Sequence, residues 1–200
     1  MRNISPYQLL EEEAAKLKPG ESGLLALDWW NGCRTPLVDA NLSGMILGMT
    51  LGTRAPEIYR ALIEATAFGT AVIVETFEKN GVKVDELVAC GGLAERNKLL
   101  LQIYADVTGR PFKEAGSGQA SALGAAMFGA VAAGKSAGGY DSIGDAAKKM
   151  ARFKEVVHQP DPHRHATYQK LLAEYRRLVD YFGRGENDVM KRLREIRNTI

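Results

Sequence analysis

Gly91 and Gly92 are the residues best placed to meet a ligand. A short apolar run, Leu87–Cys90, leads into them, and a helical pattern from Leu93 to Val107 leads away. A buried parallel strand reads as such a run, and Gly109 closes the helix. Strand, glycine turn and helix together offer bare backbone and the positive end of a helix dipole. Paired glycines admit a flat group where a Cβ would block it. A Gly-Gly pair alone is more often a tight turn with no ligand, so its surroundings must decide.

Other stretches carry weaker signals. Residues Gly129, Gly134, Lys135 and Ser136 match the phosphate-loop pattern G-x-x-x-x-G-K-[ST]. That loop works only between a strand and a helix, where its amides wrap phosphates. Here Ala120–Ala133 reads as helix, so Gly129–Gly134 is expected to be a helix end with Lys135 facing solvent. Gly116-Ser117-Gly118 falls short of a dinucleotide fingerprint, because Ser121 stands at the third glycine position. His158, His163 and His165 have only Asp161 as an acidic neighbour, so a surface loop is expected rather than a metal site. Asp28, Asp39, Glu64 and Asp106 are candidate general bases, and no spacing pairs any of them with a nucleophile. In alternating geometry, Trp29 and Trp30 face opposite sides, one toward the core and one able to line a cleft.

The elements that position these residues follow from periodicity. Pro6–Leu17 reads as an amphipathic helix capped by Ser5. Gly23–Trp29 and Leu42–Leu51 read as strands, with Asn31-Gly32 as a tight turn. Gly44, Gly48 and Gly52, spaced through the second run, mark a bulge or close approach of another backbone. Pro56–Lys79 is the strongest helix, apolar almost all round at Ala65–Ile73, so it is expected between layers and against the Leu87–Cys90 strand, itself central. A short strand at Pro111–Glu114 and an Ala/Gly-rich helix at Ser117–Ala133, suited to close packing, come next. Ser142 and Asp145 have capping-box spacing for a helix reaching about Met150. Phe153–Pro162 reads as extended. Helices at Arg164–Phe182 and Asn187–Ile196 complete the chain.

Composition sets the bounds. The 200 residues are 46% hydrophobic and 25% charged with net charge +2, which is ordinary for a globular chain. The charges are mixed, so no nucleic-acid footprint is present, and the basic residues near the end read as a solvated helix face. The longest small-apolar stretch, Ala120–Ala133, is too short to span a bilayer. Cys33 and Cys90 lack disulfide or metal spacing, so reduced thiols and a cytoplasmic location are expected.

Five blocks in order resemble the C-terminal part of the FGGY carbohydrate kinases, and among them the ribulokinases. They are GMILGMTLGTRAPEIYRALIE (Gly44–Glu64), GLLALDWWNG, LIEATAFGT, CGGLAERNKLLLQIYADVTGRPF and SALGAAMFGAVAAG. The likeness runs from about Gly20 to Phe182, with Leu62 bulkier than the family pattern. It implies an α/β, actin-like ATPase fold, a mixed sheet flanked by helices, here a partial C-terminal domain. Residues 1–20 would be an inserted helix, 21–183 the domain, and 184–200 a C-terminal helix.

The resemblance implies that Gly91, Gly92 and Leu93 meet the adenosine of ATP, with Arg96 and Asn97 beside it on the first helical turn. It further implies phosphoryl transfer from ATP, with Mg2+, to the 5-hydroxyl of L-ribulose. The family's N-terminal domain, catalytic aspartate and phosphate hairpin have no counterpart in these 200 residues, so no catalytic residue is expected here and the chain alone should be inactive. Two rivals stand beside this reading: a non-enzymatic actin-like nucleotide module, and a phosphate-loop NTPase using Lys135. No nucleic-acid or membrane partner is expected, and self-association is.

Overall fold

A computed structural model describes residues 5–200. In chain order the elements are α1 (Pro6–Ala15), β1 (Leu25–Leu27), β2 (Met45–Leu47), α2 (Ala55–Lys79), β3 (Leu87–Ala89), α3 (Gly92–Arg96), α4 (Lys98–Thr108), β4 (Phe112–Ala115), α5 (Ala120–Ala133), α6 (Ile143–Met150), β5 (Phe153–His158), α7 (Pro162–Gly183) and α8 (Val189–Thr199). The expected helices and strands are present, most of them trimmed or extended by a few residues. The Ser5 side chain accepts from Gln8 N at 3.2 Å and starts α1. Ser142 does the same for α6, accepting from Asp145 N at 3.1 Å.

Two sheets form. β1 and β2 make an antiparallel pair, and β3, β4 and β5 make a mixed sheet in that order, parallel then antiparallel. The mixed α/β fold flanked by helices therefore stands, with one correction. The Leu87–Cys90 run is not central. β4 holds the centre, while β3 is an edge strand with Val88 44% exposed and Cys90 exposed. A short apolar run records only that a strand is apolar. Which strands lie beside it is settled by what the rest of the chain supplies, and among the described residues only β4 pairs with it.

The long helix α2 is buried through its middle, as expected: Ala65, Ala67 and Phe68 are 1% exposed or less. Its main partners, however, are α4, α1, β1 and α7 rather than β3. The core lies where α2, α4 and α7 meet. There the Phe68 ring packs on Tyr168 and Tyr175, with centroids 6.1 and 5.5 Å apart, and such pairs add about 0.5–1.5 kcal/mol beyond area burial. A buried network locks α2 to α7 and α1. Arg60 donates to Glu64 Oε1 (2.7 Å), the Ala14 carbonyl (3.0 Å) and the Tyr168 hydroxyl (2.8 Å), and Tyr168 donates to Glu64 (2.8 Å).

Close backbone approach explains the glycines of the hairpin. A Cβ at Gly48, whose φ is +87°, would stand 2.2 Å from the Gly23 carbonyl oxygen. One at Gly44 would stand 2.1 Å from the Trp30 ring. Trp29 is buried at 4% and Trp30 is 55% exposed, which is the alternation expected of neighbours on a strand exit.

Candidate functional site

The expected single helix after Gly92 is two. α3 stops at Arg96, Asn97 takes an extended conformation (φ −130°, ψ 93°), and α4 begins at Lys98. Asn97 is the hinge between them. Its side-chain oxygen accepts from Leu100 N at 2.8 Å, capping α4, and its amide donates to the Tyr59 hydroxyl at 2.8 Å. The residue is 5% exposed. Asn97 is thus a cap between two helices rather than a residue on a first helical turn. A side-chain cap of this kind competes with continuous helix, which is why the chain breaks here. The five-residue α3 is also too short to present the helix dipole expected behind the glycine turn.

These residues open onto a groove of about 1000 Å3. Gly92, Leu93, Arg96 and Asn97 line it; Gly91, with φ +90°, forms the turn behind and does not. A Cβ built on Gly92 would meet nothing within 4 Å. Leu93 is 67% exposed, so the groove offers an apolar side chain next to bare backbone. The opposite wall is α1, through Tyr7, Gln8 and Glu11. Glu11 reaches across to accept from Leu99 N at 3.5 Å. Tyr59 closes the floor, and burial together with the Glu11 carboxylate raises its phenol above the usual range.

Sequence reading missed Tyr59 and α1 as parts of this site. Nothing local marks them: the residues that face Gly92 lie more than thirty positions upstream, and only the packing of α1 and α2 on α4 brings them there. His158 lies at the edge of the groove. Its Nε2 is 3.2 Å from Glu114 Oε1, and Lys154 donates to the other oxygen at 2.8 Å. The Lys154 ammonium, then His158, holds the Glu114 carboxyl below its usual range.

The remaining candidates are held in contacts of their own. His158 belongs to β5, His163 and His165 belong to α7, and His165 points Nδ1 at the Asp106 carbonyl at 2.8 Å, so the expected surface loop is corrected for all three. Among the described residues no group of three His, Cys, Asp or Glu could hold a metal ion. Asp106 is 1% exposed and paired with Arg164 at 2.6 Å. Glu64 is held in the Arg60 network, and its burial pushes the carboxyl up. Asp39 pairs with Lys191 at 3.2 Å. Asp28 accepts from the Tyr175 hydroxyl at 2.7 Å. Cys33 and Cys90 are both free.

The phosphate-loop match fails on geometry. Gly129 lies inside α5, the residues leading into it are helix rather than strand, and Lys135 begins a short 3-10 turn, 68% exposed and paired with Asp141. No helix among the described residues is long and apolar enough to cross a membrane.

Comparison with known proteins identifies the family. The chain is 60% identical over 197 residues to a ribulokinase of Halalkalibacterium halodurans, 59% identical over 196 residues to one of Geobacillus thermodenitrificans, and 48% identical over 197 residues to one of Mycolicibacterium smegmatis. Each alignment covers 98% of this chain but only 34–35% of the relative, so the chain spans about a third of their length. Among solved structures it resembles a ligand-bound xylulose kinase (TM-score 0.73, 26% identity, 90% of this chain, 35% of that one) and a gluconate kinase (TM-score 0.75, 25% identity, 92% and 36%), both from Lactobacillus acidophilus. These folds are the actin-like ATPase fold of sugar kinases. Residues 2–133, which carry the glycine turn and both walls of the groove, match the model of the C-terminal domain of one family, and the chain belongs to it: the FGGY family of carbohydrate kinases.

Proposed function

We propose that this chain forms the adenosine-holding wall of an ATP-dependent sugar kinase whose acceptor is the 5-hydroxyl of L-ribulose. One observation carries the reading. Gly92, Leu93, Arg96 and Asn97, read from sequence as the nucleotide site, line one groove closed on its far side by α1. The open volume at Gly92 and the exposed Leu93 suit the flat face of adenine, while Arg96 and the polar residues of α1 suit ribose hydroxyls. The ribulokinase relatives supply the acceptor.

Phosphoryl transfer of this kind depends on positioning and charge neutralisation more than on covalent chemistry. The part given to this chain is positioning. Tyr59 fixes Asn97, Asn97 fixes the break between α3 and α4, and the break aims the glycine turn into the groove. Mg2+ would travel with the phosphates of ATP. The base that deprotonates the sugar, the phosphate hairpin and the opposing domain lie outside these 200 residues.

Calorimetry with ATP and with adenosine tests the reading. Both are expected to bind in the millimolar range, about −4 kcal/mol, and with near-equal affinity because the family's phosphate hairpin is expected outside these residues. Gly92→Val should abolish binding by placing a branched side chain in the adenine approach, without unfolding the chain. Equal adenosine affinity in Gly92→Val, or no binding by either form, overturns it.

A further inference from the structure

A second cavity, of about 440 Å3, shares no lining residue with the groove. It lies between the segment that leaves β1, the middle of α2, and α7. Its volume is within the range of small-molecule sites, roughly 300–1,000 Å3.

Asp28 is its most informative residue. Oδ1 takes the Tyr175 proton at 2.7 Å, and no other described side chain donates to the carboxylate. No buried side-chain polar atom in the described residues lacks a partner, so Oδ2 is reached from open space. α2 makes room for it with a glycine: a Cβ on Gly69 would stand 2.6 Å from Oδ2. Burial raises the Asp28 carboxyl above its usual range, which marks the low polarity of its surroundings.

The rest of the lining mixes donors and acceptors. The Thr66 and Thr70 hydroxyls donate to the Ile63 and Thr66 carbonyls, at 2.8 and 3.0 Å, and stand beside the Tyr104 hydroxyl, which lines the same cavity. Asn31 and Arg34 are exposed along the same wall. Trp30 is 55% exposed yet held in place, because Gly44 lets its ring lie against backbone. An exposed indole fixed in this way is an aromatic platform already organised, and preorganisation lowers the cost of binding.

We propose that this cavity is a second ligand site, for a small neutral polyhydroxylated molecule. Hydroxyl groups of such a ligand donate to Asp28 Oδ2 and accept from Arg34 and Asn31, while its C–H face covers the Trp30 indole. The charge pattern selects the class. A cation would meet Arg34 and an anion would meet Asp28, so a neutral molecule with both donors and acceptors is the one that satisfies every wall. The site is independent of the nucleotide groove and does not rest on the kinase reading.

Ribitol is the probe, titrated into the 15N-labelled chain while the Trp30 indole and Asn31 resonances are followed. Choline and inorganic phosphate serve as parallel arms. Ribitol is expected to shift both resonances with saturation at millimolar concentration. Trp30→Ala, read at Asn31, and Asp28→Asn should each weaken this at least tenfold, and Gly92→Val should leave it unchanged. Thr70→Ala, expected to weaken binding severalfold, is the second lining variant should Asp28→Asn fail to fold. Shifts that never saturate, that persist undiminished in the lining variants, or that saturate with choline or phosphate but not ribitol overturn the proposal.

Discussion

Asn97 shows how one side chain can set the shape of a site. Its two hydrogen bonds, to Leu100 N and the Tyr59 hydroxyl, end α3 and begin α4. Loss of an N-cap costs about 1 kcal/mol, and the unpaired Tyr59 hydroxyl adds to that. Asn97→Ala should therefore lower stability by about 1.5–2.5 kcal/mol, read by urea denaturation, and should reduce amide protection at Leu100. Asn97→Asp keeps the cap and should retain more than half of it. Glu114 offers a test by pH. Its carboxyl is held below the ordinary 4.5 by Lys154, then His158, so the folded state binds this proton less readily than the unfolded one. That stabilisation is complete above about 4.5 and is lost as pH falls through the depressed folded value. Denaturation followed from pH 6 to 2 should show a flatter acid limb in Glu114→Gln than in the unaltered chain; parallel curves would refute the assignment.

At the scale of elements, glycines of identical chemistry have opposite roles. Gly48 sits at positive φ with the Gly23 carbonyl where its Cβ would be. Gly48→Ala should destabilise the β1–β2 hairpin by about 2–3 kcal/mol, the order of strain stored by such a backbone. Gly124, inside α5, meets nothing within 4 Å. Gly124→Ala should stabilise by about 0.5–1 kcal/mol through helix propensity. Thermal melts of the two variants measured side by side separate the roles, and equal signs would refute the packing described. α5 itself was expected to pack closely on a neighbour. It packs on α6 and buries only Met127, leaving Phe128 67% exposed.

For the whole molecule, that exposed face of α5, the free edge of β3 and Val88 at 44% exposure leave apolar surface uncovered. Unpaired strand edges and apolar patches favour association. The isolated chain is expected to self-associate at micromolar concentration in sedimentation experiments, and Phe128→Glu should shift it toward monomer. A monomer at all concentrations would contradict this. The same chain should show no turnover in a coupled kinase assay with ATP and ribulose, because the proposed catalytic base and phosphate contacts lie outside it. Measurable turnover would show that these residues contain more of the active centre than the groove.

Local chemistry determined what could be read along the chain. The helices were legible from 3.6-residue periodicity and from Ser5, Ser142 and Gly109 at their ends. The close approaches at Gly44 and Gly48 were legible because glycine inside a strand needs a steric reason. The failure of the phosphate-loop match was legible because Ala120–Ala133 could only be helix. The family, the fold and the five groove candidates came from residue order, and four of the five do line one groove. Tertiary structure decided the rest. It put β4 rather than β3 at the centre of the sheet, since strand order depends on which partners the chain can supply. It made Asn97 a buried cap between two helices rather than part of one continuous helix, and it brought α1 and Tyr59 to the Gly92 turn. It also left Asp28 one open oxygen beside a fixed indole. Each of these depends on contacts between residues far apart in sequence, and periodicity and turn chemistry act only over a few neighbours.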